Sequence, residues 1–495
     1  MLCHDFTPYA AKGERHRQPC AYMRTMAAPR CVATGRLLPN YLQEREMTSQ
    51  AYKQEPDNRD LDHIPGSDGL PYFGRGLDAV FRLKDLADEH YRKWGEVSRI
   101  KILDQRGVLV LGADNYQRIY LDRDKNFSAE MGYDANLGQF YKGGLLLRDF
   151  EEHKFQRRIM QSAFKTAVMG NYVAEMNPII EAHLDSWSQH GRIEFGASIK
   201  ELLLAVGARV FIGVEASGAE AEALNRAFTD INEGLVGQVK KELPFTKFRK
   251  GKQGERFLAR YFAELIPRRR GSDGTDMLTY MCNEKQEDGR FFDEQDIIAH
   301  ASFLLFAAHD TTTSVLNHLV MYSAMDPSWQ RKMRAEVESL GKDTLEYEDL
   351  ASLELIDRCF HECLRLHPSV PLMTRRTIRE CELGAYTIPP NTMLFLPPMF
   401  NHRDPRYWSN PDQFDPDRFL PERAEHKQHS FCYHPFGGGA HKCIGMHFAV
   451  MLAKAFMFQF LKRFDYQTPK GFKPRLLWVP LPKPARLPLD ISPRH

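Results

Sequence analysis

The stretch that most restricts what this chain can become runs from Glu294 to Met325. Asp293 is a candidate N-cap, Asp296 follows three residues later, and no proline or glycine interrupts the sequence until Asp326-Pro327. Across IIAHASFLLFAAHDTTTSVLNHLV apolar side chains fall on nearly every face, so the helix this spacing predicts must be buried all round. Something large has to wrap it. With 495 residues and 43% hydrophobic content, the chain can supply a core of that size.

The same helix breaks its own pattern at Ala307-Ala308-His309-Asp310-Thr311-Thr312, where two small residues precede an acid and threonines that run on to Thr313. Asp and Thr compete with a helix backbone for hydrogen bonds and are poor choices for its interior. A polar surface patch would explain the cluster taken alone, but its apolar flanks bury it.

The surroundings follow from periodicity. Residues 78–93 (LDAVFRLKDLADEHYR) carry helical spacing, and 96–112 (EVSRIKILDQRGVLVLG) reads as two strands around a Gln105-Arg106-Gly107 turn. From 150 to about 325 nearly everything reads as helix, with breaks expected at Gly191, Pro244, Pro267 and Gly271–Gly274. No repeat or linker divides the chain, so 61–495 is expected to form one domain. Residues 1–60 hold no apolar run near the ~18 residues a membrane span needs and no signal-peptide core, so no transmembrane anchor is expected. They are expected to be a disordered extension, with Met47 a candidate true start.

Charge and cysteine usage remove whole classes of function. Lys+Arg number 67 and Asp+Glu 65, a net +2, so nothing global draws the chain to nucleic acid. Nine cysteines, an odd number without paired CxxC runs, argue against a disulfide framework or a structural zinc site and for a reducing compartment, the cytoplasm.

Three further motifs follow in order. In HECLRLHP (361–368) Glu362 and Arg365 are spaced to share a helix face and pair, and the helix must stop at His367-Pro368. FDPDRF (414–419) offers Arg418 as a second cation for Glu362. HPFGGGAHKCIGMHFA (434–449) sets a glycine cluster, His441, Lys442 and Cys443 ahead of an apolar helical run. A lone cysteine there would ordinarily be a small buried hydrophobe.

The four motifs in this order resemble those of the cytochrome P-450 family, over a span from about residue 62 to the end. The cysteine loop, with Phe436, Gly439, His441, Cys443 and Gly445 in register, is the specific one. The resemblance implies a mainly α fold with a small β-rich lobe and haem b held between the long central helix and the cysteine-loop helix. It implies Cys443 as the iron's thiolate ligand, favoured by unpaired N–H groups at a helix start. Phe436 would cover the sulfur, and the glycines would let the chain approach the porphyrin. His441, Arg375, His153 and Arg157 would meet the haem propionates. Glu362, Arg365 and Arg418 would form a buried structural triad.

Ala308, where the family usually has glycine, would with Thr311 open a notch where O2 sits, and Ala307 would line the haem beside it; Thr311 would donate a hydrogen bond to the oxygen and Asp310 would relay protons. The activity implied is insertion of one oxygen atom from O2 into a lipophilic substrate, a lipid, terpenoid or steroid-like molecule. Phe140, Tyr141, Leu145, Leu146, Phe303, Val370, Pro371 and Leu372 are the expected apolar pocket. No flavin, NAD(P)H or iron–sulfur module is visible, so electrons are expected from a separate ferredoxin and its reductase, with positive charge around Lys442 steering the encounter. The rival readings are a haem-thiolate sensor or ligand carrier without turnover, and an isomerase or peroxygenase of the same fold. The intact Asp310-Thr311 pair speaks against the last.

Overall fold

A computed structural model describes residues 61–215, 218–237, 239–478 and 481–494; the expected extension and the Met47 start lie outside them. The long helix spans Glu294–Met325, about 48 Å at the usual rise. Its N-cap is Asp293, whose Oδ1 accepts from the backbone N–H of Gln295 at 2.8 Å. Asp296 does not close a capping box: its carboxylate faces Arg148 at 2.7 Å instead, tying the helix start to the Phe150–Ser162 region. The helix ends where Asp326 turns out to cap the next one, Pro327–Ser339, through Ser328. Thr312 to Met321 is buried without interruption.

A second helix, Met446–Arg463, is buried continuously from Met451 to Leu461. It packs on the Thr166–Trp187 helix, where Trp187 meets Phe456 and Phe460 edge-on. Its two buried polar groups are satisfied: Lys454 donates to the Leu350 carbonyl and pairs with Asp357, and Gln459 donates to the Asn177 carbonyl. The stretch Gly439–Arg463 is long and apolar enough to cross a membrane by length and composition, yet most of its apolar window, 61%, is buried inside the protein. Among the described residues it is the one helix that passes that test.

The small β lobe is a six-stranded sheet in the order Gly66–Ser67, Val97–Ile102, Gln105–Val110, Met393–Leu396, Met373–Thr377, Phe127–Ser128. The hairpin turn begins two residues earlier than its sequence suggests. Leu103 and Asp104 make it, with Leu103 at φ +56°, while Gln105, Arg106 and Gly107 are already in the second strand. Gly107 serves packing: a Cβ there would stand 2.3 Å from the carbonyl oxygen of Met393 on the neighbouring strand.

Two helical expectations also shift. Residues 78–93 form two helices, Gly76–Phe81 and Leu83–Trp94, with Arg82 between them; the break turns Leu83, Leu86 and Ala87 inward while Leu77 and Phe81 stay exposed. The break expected at Pro267 comes two residues later: the proline sits in the last turn of Lys247–Arg269, which closes with the Arg270 N–H donating to the Ile266 carbonyl. Contacts group the described residues into one unit.

Candidate functional site

The cysteine loop is built by its backbone. The N–H of Cys443 donates to the Phe436 carbonyl at 2.9 Å and that of Gly437 to the His434 carbonyl at 3.0 Å, closing the loop on itself. Gly439 holds φ +60°, and a Cβ on it would lie 1.8 Å from the carbonyl oxygen of Tyr120, so the close approach its lack of side chain permits is to the protein's own backbone. The following helix begins at Met446, later than the sequence suggests, with Gly445 as its N-cap. Cys443 therefore stands ahead of the helix, where the Gly445 N–H favours its ionised form.

Cys443 is exposed by surface area, yet burial pushes its thiol up, with Gly445, Arg157 and Lys442 pulling the other way. Both observations hold if the cysteine lines a recess. Ala307, Ala308 and Thr311 are likewise only half-buried in the middle of a helix whose other residues are mostly hidden.

Cations gather beside the loop. Arg157 donates to the carbonyls of Ala440 (3.3 Å) and Lys442 (2.9 Å), clamping the loop from the Phe150–Ser162 helix. His153 and His441 pack ring to ring at 4.0 Å, and His441 Nε2 lies 3.5 Å from Asp149 Oδ1. Burial would raise the Asp149 carboxyl, but His441 and Ser128 hold it below its usual value. Burial lowers His153 to about 3 and also lowers His441. Arg375, 5% exposed, donates to the Thr374 carbonyl and lies over the Tyr120 ring at 5.2 Å. Among the described residues neither Arg375 nor Arg157 has an acidic partner.

The Glu362–Arg365–Arg418 group is the reverse case. All three residues are fully buried. Arg365 donates to both Glu362 oxygens, at 2.7 and 2.8 Å, and to the carbonyls of His402, Pro411 and Gln413. Arg418 reaches Glu362 at 3.2 Å and also Glu425 at 2.8 Å. Glu425 is a fourth member that the sequence does not announce. It stands seven residues past Arg418 with no motif spacing, and only the folded loop brings Ser409, Arg418 and Arg423 around it.

On the central helix, Thr311, Thr312 and Thr313 each donate to the carbonyl four residues back. The Thr311 hydroxyl proton is thus committed to Ala307 at 2.7 Å, so as it stands the oxygen offers lone pairs, against the expected donor role. The carbonyl of Thr311 accepts from Ser369 at 3.0 Å. The helix is continuous through these residues, with Ala307, Ala308 and Thr311 only half-buried on it. Asp310 faces His309 at 3.0 Å, its neighbour in the motif, and Asn232 at 3.3 Å, which no motif announces. The expected pocket residues Phe140, Tyr141, Leu145, Phe303 and Pro371 are buried, and Leu146, Val370 and Leu372 partly so. Tyr141 stacks on Phe306 at 4.7 Å, a pocket-side aromatic that sequence reasoning missed.

Comparison with known proteins places this geometry in a family. The family described as Cytochrome P450 matches residues 64–484. A putative cytochrome P450 136 of Mycobacterium tuberculosis is 33% identical over 465 residues, covering 92% of this chain and 94% of its own. An obtusifoliol 14-alpha demethylase of Triticum aestivum is 26% identical over 425 residues, covering 83% and 92%. Among solved structures, a retinoic acid bound cyanobacterial CYP120A1 superposes with a TM-score of 0.79 at 22% identity, over 87% of this chain and 99% of that one.

Proposed function

The chain belongs to the cytochrome P450 family, and from that premise we propose which residues perform the family's chemistry and on what. It is a haem-thiolate monooxygenase, whose haem, when bound, supplies the activation of O2 and whose electrons come from a redox partner.

Cys443 is the thiolate donor in this reading. The observation that carries it is a surface-accessible sulfur just ahead of a helix, whose ionised form Gly445, Arg157 and Lys442 favour, beside a loop where Arg157 and Arg375 are short of acidic partners. Half-buried and buried guanidinium groups without counter-charges are costly alone and fit a flat cofactor whose acid groups complete the ion pairs. Arg375 and His441, with His153, would hold those groups; Arg157 would hold the loop. Phe436 and Gly439 shape the proximal side and Ala307 and Ala308 the distal one. Glu362, Arg365 and Arg418 fix the architecture. Thr311 orients the reacting oxygen through its hydroxyl, which must swing off the Ala307 carbonyl to donate, and Asp310 moves protons inward at its carboxylate.

The substrate is a lipophilic molecule of terpenoid or steroid kind. Support comes from the apolar lining at Phe140, Tyr141, Leu145 and Phe303, and from the sterol demethylases and the retinoic acid complex among the relatives. We propose a small acidic ferredoxin with its reductase as electron source and the cytoplasm as the compartment.

The purified, reduced protein with carbon monoxide should show the red-shifted Soret band of thiolate ligation, and Cys443→Ser should lose it. Retention of the band by the serine variant would assign the ligand to another cysteine. Difference spectra over fatty acids, terpenes and steroids then identify the binding class. One observation favours a ligand carrier, namely the commitment of the Thr311 hydroxyl to the helix; failure of the wild type to oxidise any spectrally bound ligand under electron supply would establish that reading.

A further inference from the structure

Next to Asp310 lies a group whose hydrogen bonds dictate its protonation. His309, 6% exposed, packs its ring edge-on against Phe228 at 5.3 Å. Its Nε2 lies 3.2 Å from the carbonyl oxygen of Lys200, in the helix Phe195–Gly207, and its Nδ1 3.0 Å from Asp310 Oδ1. A backbone carbonyl can only accept, so Nε2 carries a proton. An ionised carboxylate can only accept too, so Nδ1 carries the second. The other arrangement that satisfies both contacts moves that proton to Oδ1, leaving a neutral imidazole beside a neutral acid.

The second carboxylate oxygen of Asp310 accepts from Asn232 Nδ2 at 3.3 Å, on the helix Ala219–Val236, and Asn232 Oδ1 in turn accepts from the Tyr141 hydroxyl at 3.4 Å. Asp310 is thereby held by its own helix on one side and by the pocket wall on the other. The ionisable groups that face it are His309, Lys200, Lys483 and Tyr141. Burial would push the Asp310 carboxyl up, but the hydrogen bond and charge of His309, helped by both lysines, hold it below its ordinary value.

We propose that His309 is a positioning residue for proton delivery, an imidazolium that keeps Asp310 ionised and aimed and shares one proton with it along the Nδ1–Oδ1 line. The proposal rests on the reading of Asp310 as the relay acid. When the proton shifts, the Nδ1–H bond breaks and the Oδ1–H bond forms; Asp310 passes that proton inward to the reacting oxygen, and one taken from solvent by Asp310, whose side chain is 30% exposed against 5% for His309, returns to Nδ1.

Ring-15N-histidine holoenzyme, reduced and CO-bound, gives a readout independent of turnover. The His309 signals are those lost in His309→Gln, or in His309→Asn should the first variant yield no holoenzyme. Both ring nitrogens should carry protons in the wild type, and Nδ1 should lose its proton in Asp310→Asn. A wild-type His309 with one protonated nitrogen, or an unchanged signal in Asp310→Asn, overturns the proposal. With surrogate ferredoxin and reductase, removing the cation should move the acid limb of turnover upward by about one pH unit in His309→Gln. A slowed Asp310→Asn beside an unmoved limb in His309→Gln makes His309 merely structural. Wild-type turnover by Asp310→Asn refutes the relay assignment itself, whatever the ring nitrogens show.

Discussion

Two buried groups of charge lie close to the cysteine loop and could hardly be more different. Around Glu362 every guanidinium donor of Arg365 and Arg418 finds an oxygen, and carboxylates and cations alternate. Around Arg375, Arg157, His153 and His441 the one ion pair among the described residues is that of His441 with Asp149, and neither arginine has an acidic partner. A saturated network needs nothing from outside and therefore reads as architecture. An unsaturated one is stable only if something supplies the missing charge, and so reads as a binding face.

That contrast breaks most visibly at Glu362. Glu362→Ala strands the buried Arg365 guanidinium and takes one of the two carboxylates of Arg418, at an expected cost of about 3–5 kcal/mol, much of a domain's stability, and should give little haem-loaded protein. A folded, haem-replete variant with normal denaturant unfolding would refute the saturation argument.

Arg375→Ala is the opposite experiment. Haem retention should fall severalfold, while thermal unfolding of the cofactor-free protein should not be lowered, because removing an unneutralised buried cation relieves a desolvation cost. If the cofactor-free variant is as unstable as Glu362→Ala, the two regions are alike.

Acid sharpens the comparison on its saturated side. Burial would raise the Glu425 carboxyl, but Ser409, Arg423 and Arg418 hold it down to about 2 from an ordinary 4.5. A carboxyl lowered by folding stabilises fully above its unfolded value and loses that contribution as pH falls through the folded one. Chemical unfolding measured between pH 4.5 and about 2 should therefore steepen in the wild type and flatten in Glu425→Gln. Equal curves would show that the network does not hold Glu425 ionised.

The smallest effect on stability is expected on the distal helix. Thr311→Ala removes one intrahelical hydrogen bond, about 1 kcal/mol at most, but should divert NAD(P)H consumption to hydrogen peroxide. Product formation tightly coupled to NAD(P)H in this variant would remove Thr311 from the oxygen chemistry.

The parts of the molecule readable in advance were those whose cause is local. Glu294–Met325 announces itself because no breaker interrupts it and its cap is the preceding residue. Cys443 stands out because its glycines, base and following helix are contiguous. Glu425, Asp149, Asn232 and the Lys200 carbonyl were not legible, since each reaches its partner only after the chain folds back, with Asn232 meeting Asp310 across 78 residues. Gly107 misled for a related reason. A glycine between two strands reads as a turn, but this one answers to Met393 on a strand far along the chain.

Gly439 lets the cysteine loop close onto the end of the Ala113–Leu121 helix, at a spot where a Cβ would stand only 1.8 Å from the Tyr120 carbonyl oxygen. Any side chain at 439 would have to push the loop or that helix end aside. Because Cys443 lies four residues further along the same loop, a substitution there would be read out as a displacement of the sulfur, so the depth of the thiolate is set by a residue that makes no contact with it.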